Sequence, residues 1–457
     1  MIAREESSYW ERACHFFRNT GFAESEGSYF IHNKNTETVK IGIMCQVSVS
    51  VSDGRVSHTV DGQTTTAGAS RSDESIFKRV EKLLRKDAPC FFVVSPDIHR
   101  RSADRSLPHI RLVQPALEFT FSPDQGDGEI TYAQDPAGEQ QGRVMLRSSL
   151  EQSLSVQPND STDLKSFSEL ATGWIPDEDD ESFFKRLENA ISVLQDHPDG
   201  KMTLTRAYER ESATTRSPFE LYELHARMNG EYACSHFSCI RENVFSLGTT
   251  PENVLEIGGR TLSVDVVAAT CRSSESDEYL ARELYGNPKQ IKEHRSSLKS
   301  RQNRFVPFCE EGSIRVVQDM QVKKLRNVCH LHSVFTGELL PQVTIFDLMG
   351  SVFPLLGARP KELLALADAE MTPHRYYGGV VGHLHLESGG CFLNVRNALL
   401  KDGLIHAKVG VGVIAESDAH SELLETQDKL SGLLEAIQLW VASVPCETGA
   451  GNREEPF

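Results

Sequence analysis

Glu422, Glu425 and Lys429 are spaced three and four apart. On a helix that spacing stacks two carboxylates and an ammonium in one column. Such a column is ordinarily a solvated face, but against a cavity it offers oxygen ligands for a hard cation. A further carboxylate, Glu293, follows Asn287-Pro288-Lys289-Gln290. There Asn suits a helix N-cap, Pro the first helical position and Gln290 the third position of a capping box. Lys201 heads the run Lys201-Met202-Thr203-Leu204-Thr205-Arg206. A lysine at a strand end is usually solvated; desolvated or flanked by cations, a lysine can work as a base near neutral pH. Gly410 and Gly412 interrupt the apolar stretch from Ile405 to Ile414. Glycines inside a strand imply close approach by a ligand or by other chain. Arg396 sits beside Leu393 and Val395, as a residue of an inner strand does. Other spacings carry little. The pairs His330/His332 and His383/His385 have no third metal ligand that spacing can name. Gly410-Val411-Gly412 lacks the third glycine of a dinucleotide fingerprint, and there is no Walker lysine loop and no nucleophile elbow.

These groups need elements to position them. Alternation places Lys201, Thr203 and Thr205 on one strand face and Met202 and Leu204 on the other. The spacing of Leu423, Leu430, Leu434 and Ile437 predicts a helix over Ser421 to Trp440. Phe183, Phe184, Leu187, Ile191 and Leu194 predict another. Val39 to Val51, Cys90 to Val94 and Arg260 to Arg272 read as strands. Ser75 to Leu84 reads as a helix through Ile76, Val80, Leu83 and Leu84. From Ser122 to Asp180 the chain is rich in Ser, Asp, Gln, Gly and Pro and reads as long polar connections with short structured pieces such as Arg143 to Leu146. A boundary is expected near residue 170. It would separate an N-terminal scaffold half, 1–170, from a catalytic region, 171–440, and a tail, 441–457.

The chain has 457 residues, enough for one large domain or two medium ones, and no apolar run long enough to span a bilayer. Its net charge of −17 disfavours duplex nucleic acid and anionic lipid as partners. The ten cysteines form no CxxC pair, and no signal segment is apparent, so a cytoplasmic protein with free thiols is expected. Cys234 and Cys239 read as core residues.

In order, the segments GKMTLTR, GTTPENV, VVAATCR, NPKQIKEH, CHLHS, FPLLGARPK, HRYYGGVVG, LNVRN and KVGVGVIAESDAHSELLETQDKL resemble the chorismate-utilising enzymes. That family includes the anthranilate, aminodeoxychorismate, isochorismate and salicylate synthases. The resemblance runs from about Lys201 to Ile437. It implies an α/β (α+β) fold: one large domain in which long antiparallel sheets and flanking helices enclose a buried site. It also implies a small dianionic substrate, chorismate or a derivative, and a Mg²⁺ cofactor. By the same resemblance Glu293 and Glu425 hold the metal, with Glu422 and Gln290 in support. Tyr377, Arg396, Lys429 and the backbone around Ala269, Gly410 and Gly412 bind substrate. Lys201 is the base that activates water, since the ammonia-using members carry glutamine there. Glu252 is the acid that protonates the departing hydroxyl, and Thr270 and His330 orient the ring and enolpyruvyl group.

The implied activity is conversion of chorismate with water to isochorismate, then pyruvate elimination to salicylate, in secondary metabolism of the siderophore type. The alternatives are an aminating synthase served by a separate glutaminase, an enzyme acting on a modified chorismate, and a non-catalytic chorismate-binding protein. The chain departs from the family pattern at Ala269, Gln290, Cys329, Ala358-Arg359 and Arg375. Gln290, replacing a glutamate, is expected to weaken the metal site by one charge.

Overall fold

The structure is a computed structural model. It describes residues 8–68, 75–98, 106–150 without 126, 165–273 without 213, 276–367 without 354, and 376–442. Arg375 and most of the expected tail lie outside these residues.

Twenty strands among the described residues join one antiparallel network that folds into two layers. The hinge is the long strand Thr38–Ser52, whose Met44 has φ +59 and whose pairing register slips between Cys45 and Val47. One arm runs from it through Ile110–Phe121, Cys90–Val94, Val380–His385 and Ser388–Leu393 to Asn253–Gly258, Thr261–Arg272 and Val328–Glu338. The other runs through Tyr29–Asn33, Cys234–Arg241, Val244–Thr250, Asn397–Lys401 and Leu404–Val413 to Lys201–Glu211. The layers meet face to face: Tyr29, Ile31 and Cys234 from one arm pack with Phe91, Val113, Val381 and Phe392 from the other. Strands from residues 29–121 are thus hydrogen-bonded to strands from 234–238 and 380–384. The two halves of the chain share one sheet, and buried side chains from both pack in common clusters.

Helices cover the outer faces. Ala419–Ala442 buries Leu423, Leu430, Leu434 and Ile437, the apolar stripe expected from the sequence, and runs two residues further at each end than the expected Ser421 to Trp440. Pro288–Phe305 starts where predicted, with Asn287 Oδ1 accepting from Lys289 N at 3.0 Å. The capping box does not form, because Gln290 finds other partners. Asp180–Gln195 buries Phe183, Leu187 and Leu194. The polar stretch from Ser122 is less irregular than its composition suggests: Pro136–Leu150 is a 15-residue helix. The helix expected over Ser75 to Leu84 is confined to Ile76–Glu81. All nine cysteines among the described residues are free, with Cys234 and Cys239 buried as expected. No helix among those residues is long and apolar enough to cross a membrane.

Candidate active site

The strand Lys201–Glu211 alternates as its sequence demands, with Met202, Leu204, Arg206 and Tyr208 buried. Its other face carries Lys201 and Thr203. The strand Leu404–Val413 runs beside it, with Gly412 opposite Thr203 and Gly410 opposite Thr205. Where these strands, the end of Thr261–Arg272 and the helices Pro288–Phe305 and Ala419–Ala442 converge, they enclose a cavity of about 160 Å³. Its wall includes Lys201, Glu252, Ala269, Thr270, Glu293, His330, Tyr377, Arg396, Gly410, Gly412, Glu425 and Lys429. Residues far apart in sequence are thereby brought around one space.

The glycines have a definite steric role. A Cβ on Gly412 would lie 2.5 Å from Lys201 Cε and 3.0 Å from its Nζ. A Cβ on Gly410 would lie 3.1 Å from the Tyr377 hydroxyl. Both positions leave room for a functional side chain of this protein, beyond the approach of a ligand inferred from sequence.

Carboxylates and lysines alternate along one side. Lys201 Nζ donates to Glu293 Oε1 at 2.9 Å, and Lys429 Nζ lies 2.6 Å from Glu425 Oε1. Burial would raise the Glu293 carboxyl, but Lys201, backed by Lys289 and Lys429, outweighs it and holds the group below the usual range. Glu293 and Glu425 face the cavity as hard oxygen donors. Glu422 does not: it is buried and accepts from Lys289 Nζ at 2.7 Å. Burial and the charge of Glu425 push its carboxyl up, while Lys289 pulls against them. Gln290 also misses the cavity. Its Oε1 accepts from Thr270 N at 3.1 Å and its Nε2 donates to Thr270 O at 2.8 Å. Of the four residues expected to hold or support a metal, the cavity wall therefore includes Glu293 and Glu425, while the Gln290 amide bonds the Thr270 backbone and the Glu422 carboxylate bonds Lys289. Among the described residues no three acidic, histidine or cysteine side chains form a metal-ligand group.

Glu252 stands across from this row. It is 6% exposed, and burial raises its pKa, with Asp265 adding to the effect. Arg301 opposes that rise, its Nη2 donating to Glu252 Oε1 at 2.5 Å. A carboxyl that burial raises holds a proton more readily than a solvated one, as a general acid must.

His330 and Thr270 are cross-strand partners. Arg396 Nη2 lies 3.2 Å from His330 Nε2, and a guanidinium can only donate, so Nε2 accepts. The ring proton is then on Nδ1, given to Thr270 Oγ1 at 3.1 Å. Burial, with the charges of Arg396 and Lys429, depresses the imidazole well below its ordinary pKa, so it is neutral. Arg396 is half-buried at the cavity wall, and burial lowers its pKa to about 10. Its backbone adopts φ +49, a conformation costly to a side-chain-bearing residue, and His225 holds it by donating to its carbonyl at 3.0 Å. Burial raises the Tyr377 phenol, keeping it a neutral donor.

Three residues were not singled out from the sequence. Lys408 lines the cavity and shares a strand face with Gly410 and Gly412. A period of two would have found it. Lys289 and Arg301 carry no comparable local signal. Of the departures from the family pattern, Ala269 lines the cavity, at φ +67. Cys329 packs away from it with Leu280, Leu284 and Leu331, and the Arg359 side chain is tied to Ser296 at 2.5 Å. The remaining histidines have ordinary partners. His383 Nε2 meets Glu118 at 2.5 Å, His385 meets the Asp87 carbonyl at 3.2 Å, and His332 Nδ1 meets Gln318 at 2.9 Å.

A family model described as chorismate binding enzyme matches residues 27–435. The chain belongs to the chorismate-binding enzymes. Among this family's members it is 26% identical to anthranilate synthase component 1 of Lactococcus lactis over 344 residues, 72% of this chain and 73% of that protein. It is 27% identical to the Arthrobacter globiformis protein of the same name over 267 residues, 56% of this chain, and so spans about half of that relative's length, 50%. Its fold matches that of anthranilate synthase component I from Streptococcus pneumoniae with a TM-score of 0.71 at 18% identity, covering 87% of this chain and 92% of that one. It also matches MenF, the menaquinone-specific isochorismate synthase from Escherichia coli, with a TM-score of 0.66 at 15% identity, covering 91% and 90%.

Proposed function

We propose that this chorismate-binding enzyme adds water to chorismate to give isochorismate, and that pyruvate elimination from the bound product then yields salicylate. The observation that supports the reading is a lysine, Lys201, sharing one cavity with a carboxyl, Glu252, that burial holds high. Water must lose a proton as it attacks the ring carbon next to the carboxylate-bearing one, whereas ammonia is already a nucleophile. Lys201 takes that proton. Both ring double bonds shift by one position, and the ring hydroxyl at the far end of the diene leaves with the proton of Glu252. A neutral amine can also donate to Glu293 across the 2.9 Å that separates them, and the carboxylate then steadies the ammonium that forms when the proton arrives. Arg396 and the neutral Tyr377 bind the enolpyruvyl carboxylate, and His330, fixed as the Nδ1–H tautomer, orients the ring.

Glu293 and Glu425 are the residues that would hold Mg²⁺, which takes one or two carboxylates together with substrate oxygens. Bound there, the ion supplies positive charge against the ring carboxylate. With net charge −17 the protein does not draw a dianion globally, so local cations must do so: Arg396, Lys408 and Lys429.

The aminating reading is favoured by the sequence relatives, which are named as anthranilate synthase component 1. In it, ammonia from a separate glutaminase replaces water. Product analysis decides: chorismate and Mg²⁺ are incubated with pure protein, with and without ammonium, and resolved by chromatography with mass detection. Isochorismate, or salicylate with pyruvate, formed without ammonium is the expected result. A nitrogen-containing product formed only with ammonium overturns it, as does tight chorismate binding with no turnover at any Mg²⁺ concentration.

A further inference from the structure

The strand Thr261–Arg272 loses register between Ala268 and Thr270, with Ala269 at φ +67. This bulge sits at the cavity wall and precedes the residue that takes the His330 proton. The helix Pro288–Phe305 grips it on both sides. Gln290 engages the N–H and the C=O of Thr270, and His294, one turn later, lies with Nδ1 3.2 Å from the Ala268 carbonyl. Both side chains are buried.

We propose that Gln290 is a positioning residue: its carboxamide locks Thr270 at the bulge and so holds Thr270 Oγ1 where it accepts from His330 Nδ1–H, aiming a ring whose tautomer Arg396 sets. A carboxamide is matched to this task because one planar group accepts at one atom and donates at the other. A carboxylate offers two acceptors. One could take the Thr270 N–H, but the other would face the Thr270 carbonyl at the 2.8 Å now spanned by a donor. Protonated, the same acid would donate again. The chain of contacts ends at Arg396, since His330 Nε2 accepts from it at 3.2 Å. The catalytic consequence rests on the chorismate reading; the effect on His330 does not.

The test uses Gln290→Glu and Gln290→Leu in the full chain. Proteins labelled with ¹⁵N-histidine are compared by NMR, with His330→Gln identifying the signal. The parent should show His330 Nδ1–H in a hydrogen bond, and both variants should lose that bond, read as a shift of the Nδ1 signal, at neutral pH. On acidification Gln290→Glu should regain it, and Gln290→Leu should not. In chorismate turnover, kcat should fall roughly 10–100-fold with KM less affected. Relative to the parent at each pH, Gln290→Glu alone should recover as pH falls. His330 signals unchanged in both variants would overturn the proposal. Signals that shift as expected, in a protein that does not consume chorismate, would uphold it and sink the chorismate reading instead.

Discussion

Lys201→Gln separates base catalysis from binding. The lysine donates to Glu293 at 2.9 Å, and the two side chains are 27% and 12% exposed. Glutamine can keep a neutral hydrogen bond to that carboxylate. The exchange of a charged for a neutral bond then costs about 1 kcal/mol, which shifts affinity about fivefold at most. Loss of a general base costs far more, about 10²–10⁴ in rate, or roughly 3–5 kcal/mol in the barrier. The expected outcome is therefore a collapse of kcat for water addition with nearly unchanged KM. The Mg²⁺ half-saturation point should fall by about fivefold, because Glu293 no longer holds an ammonium that competes for its oxygens. The assay follows isochorismate by chromatography and pyruvate by a coupled dehydrogenase, across a Mg²⁺ titration. A kcat within about threefold of the parent would refute the base assignment, since no positioned base is so dispensable.

Gly412→Ala would place a methyl 2.5 Å from Lys201 Cε, and the lysine, being flexible, would swing aside. We expect kcat to fall at least about tenfold while stability changes by less than ~1.5 kcal/mol, as chemical melts would show; unchanged kcat would mean Lys201's position does not matter. Arg301→Met removes the charge that opposes the rise at Glu252, so the acid stays protonated to higher pH. The basic limb of kcat/KM should move up by about one pH unit, and a limb that stays put would show that Glu252 is not the acid. His383→Phe strips a partner from Glu118, which is fully buried and titrates at about 2 because His383, Lys40 and Tyr29 outweigh the burial that would raise it. Its contribution is present above the unfolded carboxyl pKa and lost as pH falls through about 2. Burial holds the His383 imidazole below its ordinary pKa, so at neutral pH the variant loses a neutral donor to a buried carboxylate; urea melts should show it about 1–3 kcal/mol weaker at pH ~7, with a smaller gap near pH ~3, and an equal gap at both would exclude this origin.

Much of the site was legible because it is periodic. Lys201 and Thr203 share a face by strand alternation, and the apolar stripe from Leu423 to Ile437 set one side of the last helix. Asn287 and Pro288 marked a helix start that the structure keeps. Gln290 and Glu422 mark where local rules stop. Local rules offered each a local role, a cap for one and a ligand column for the other. The tertiary partners, the Thr270 backbone and Lys289, are 20 and 133 residues away, and compete through geometry that no spacing encodes.

The sequence by itself determined which residue types were available, which strand and helix faces they occupy, and, through its ordered motifs, the family. Those follow from short-range sterics and from periodicities of two and 3.6 residues. Only the tertiary structure decided which charges meet. Arg301 reaches Glu252 across 49 positions, Lys201 reaches Glu293 across 92, and Arg396 reaches His330 across 66. Protonation states at the cavity follow from those meetings and from burial, since a buried carboxyl or imidazole answers to the nearest charge in space and not to its neighbours in sequence.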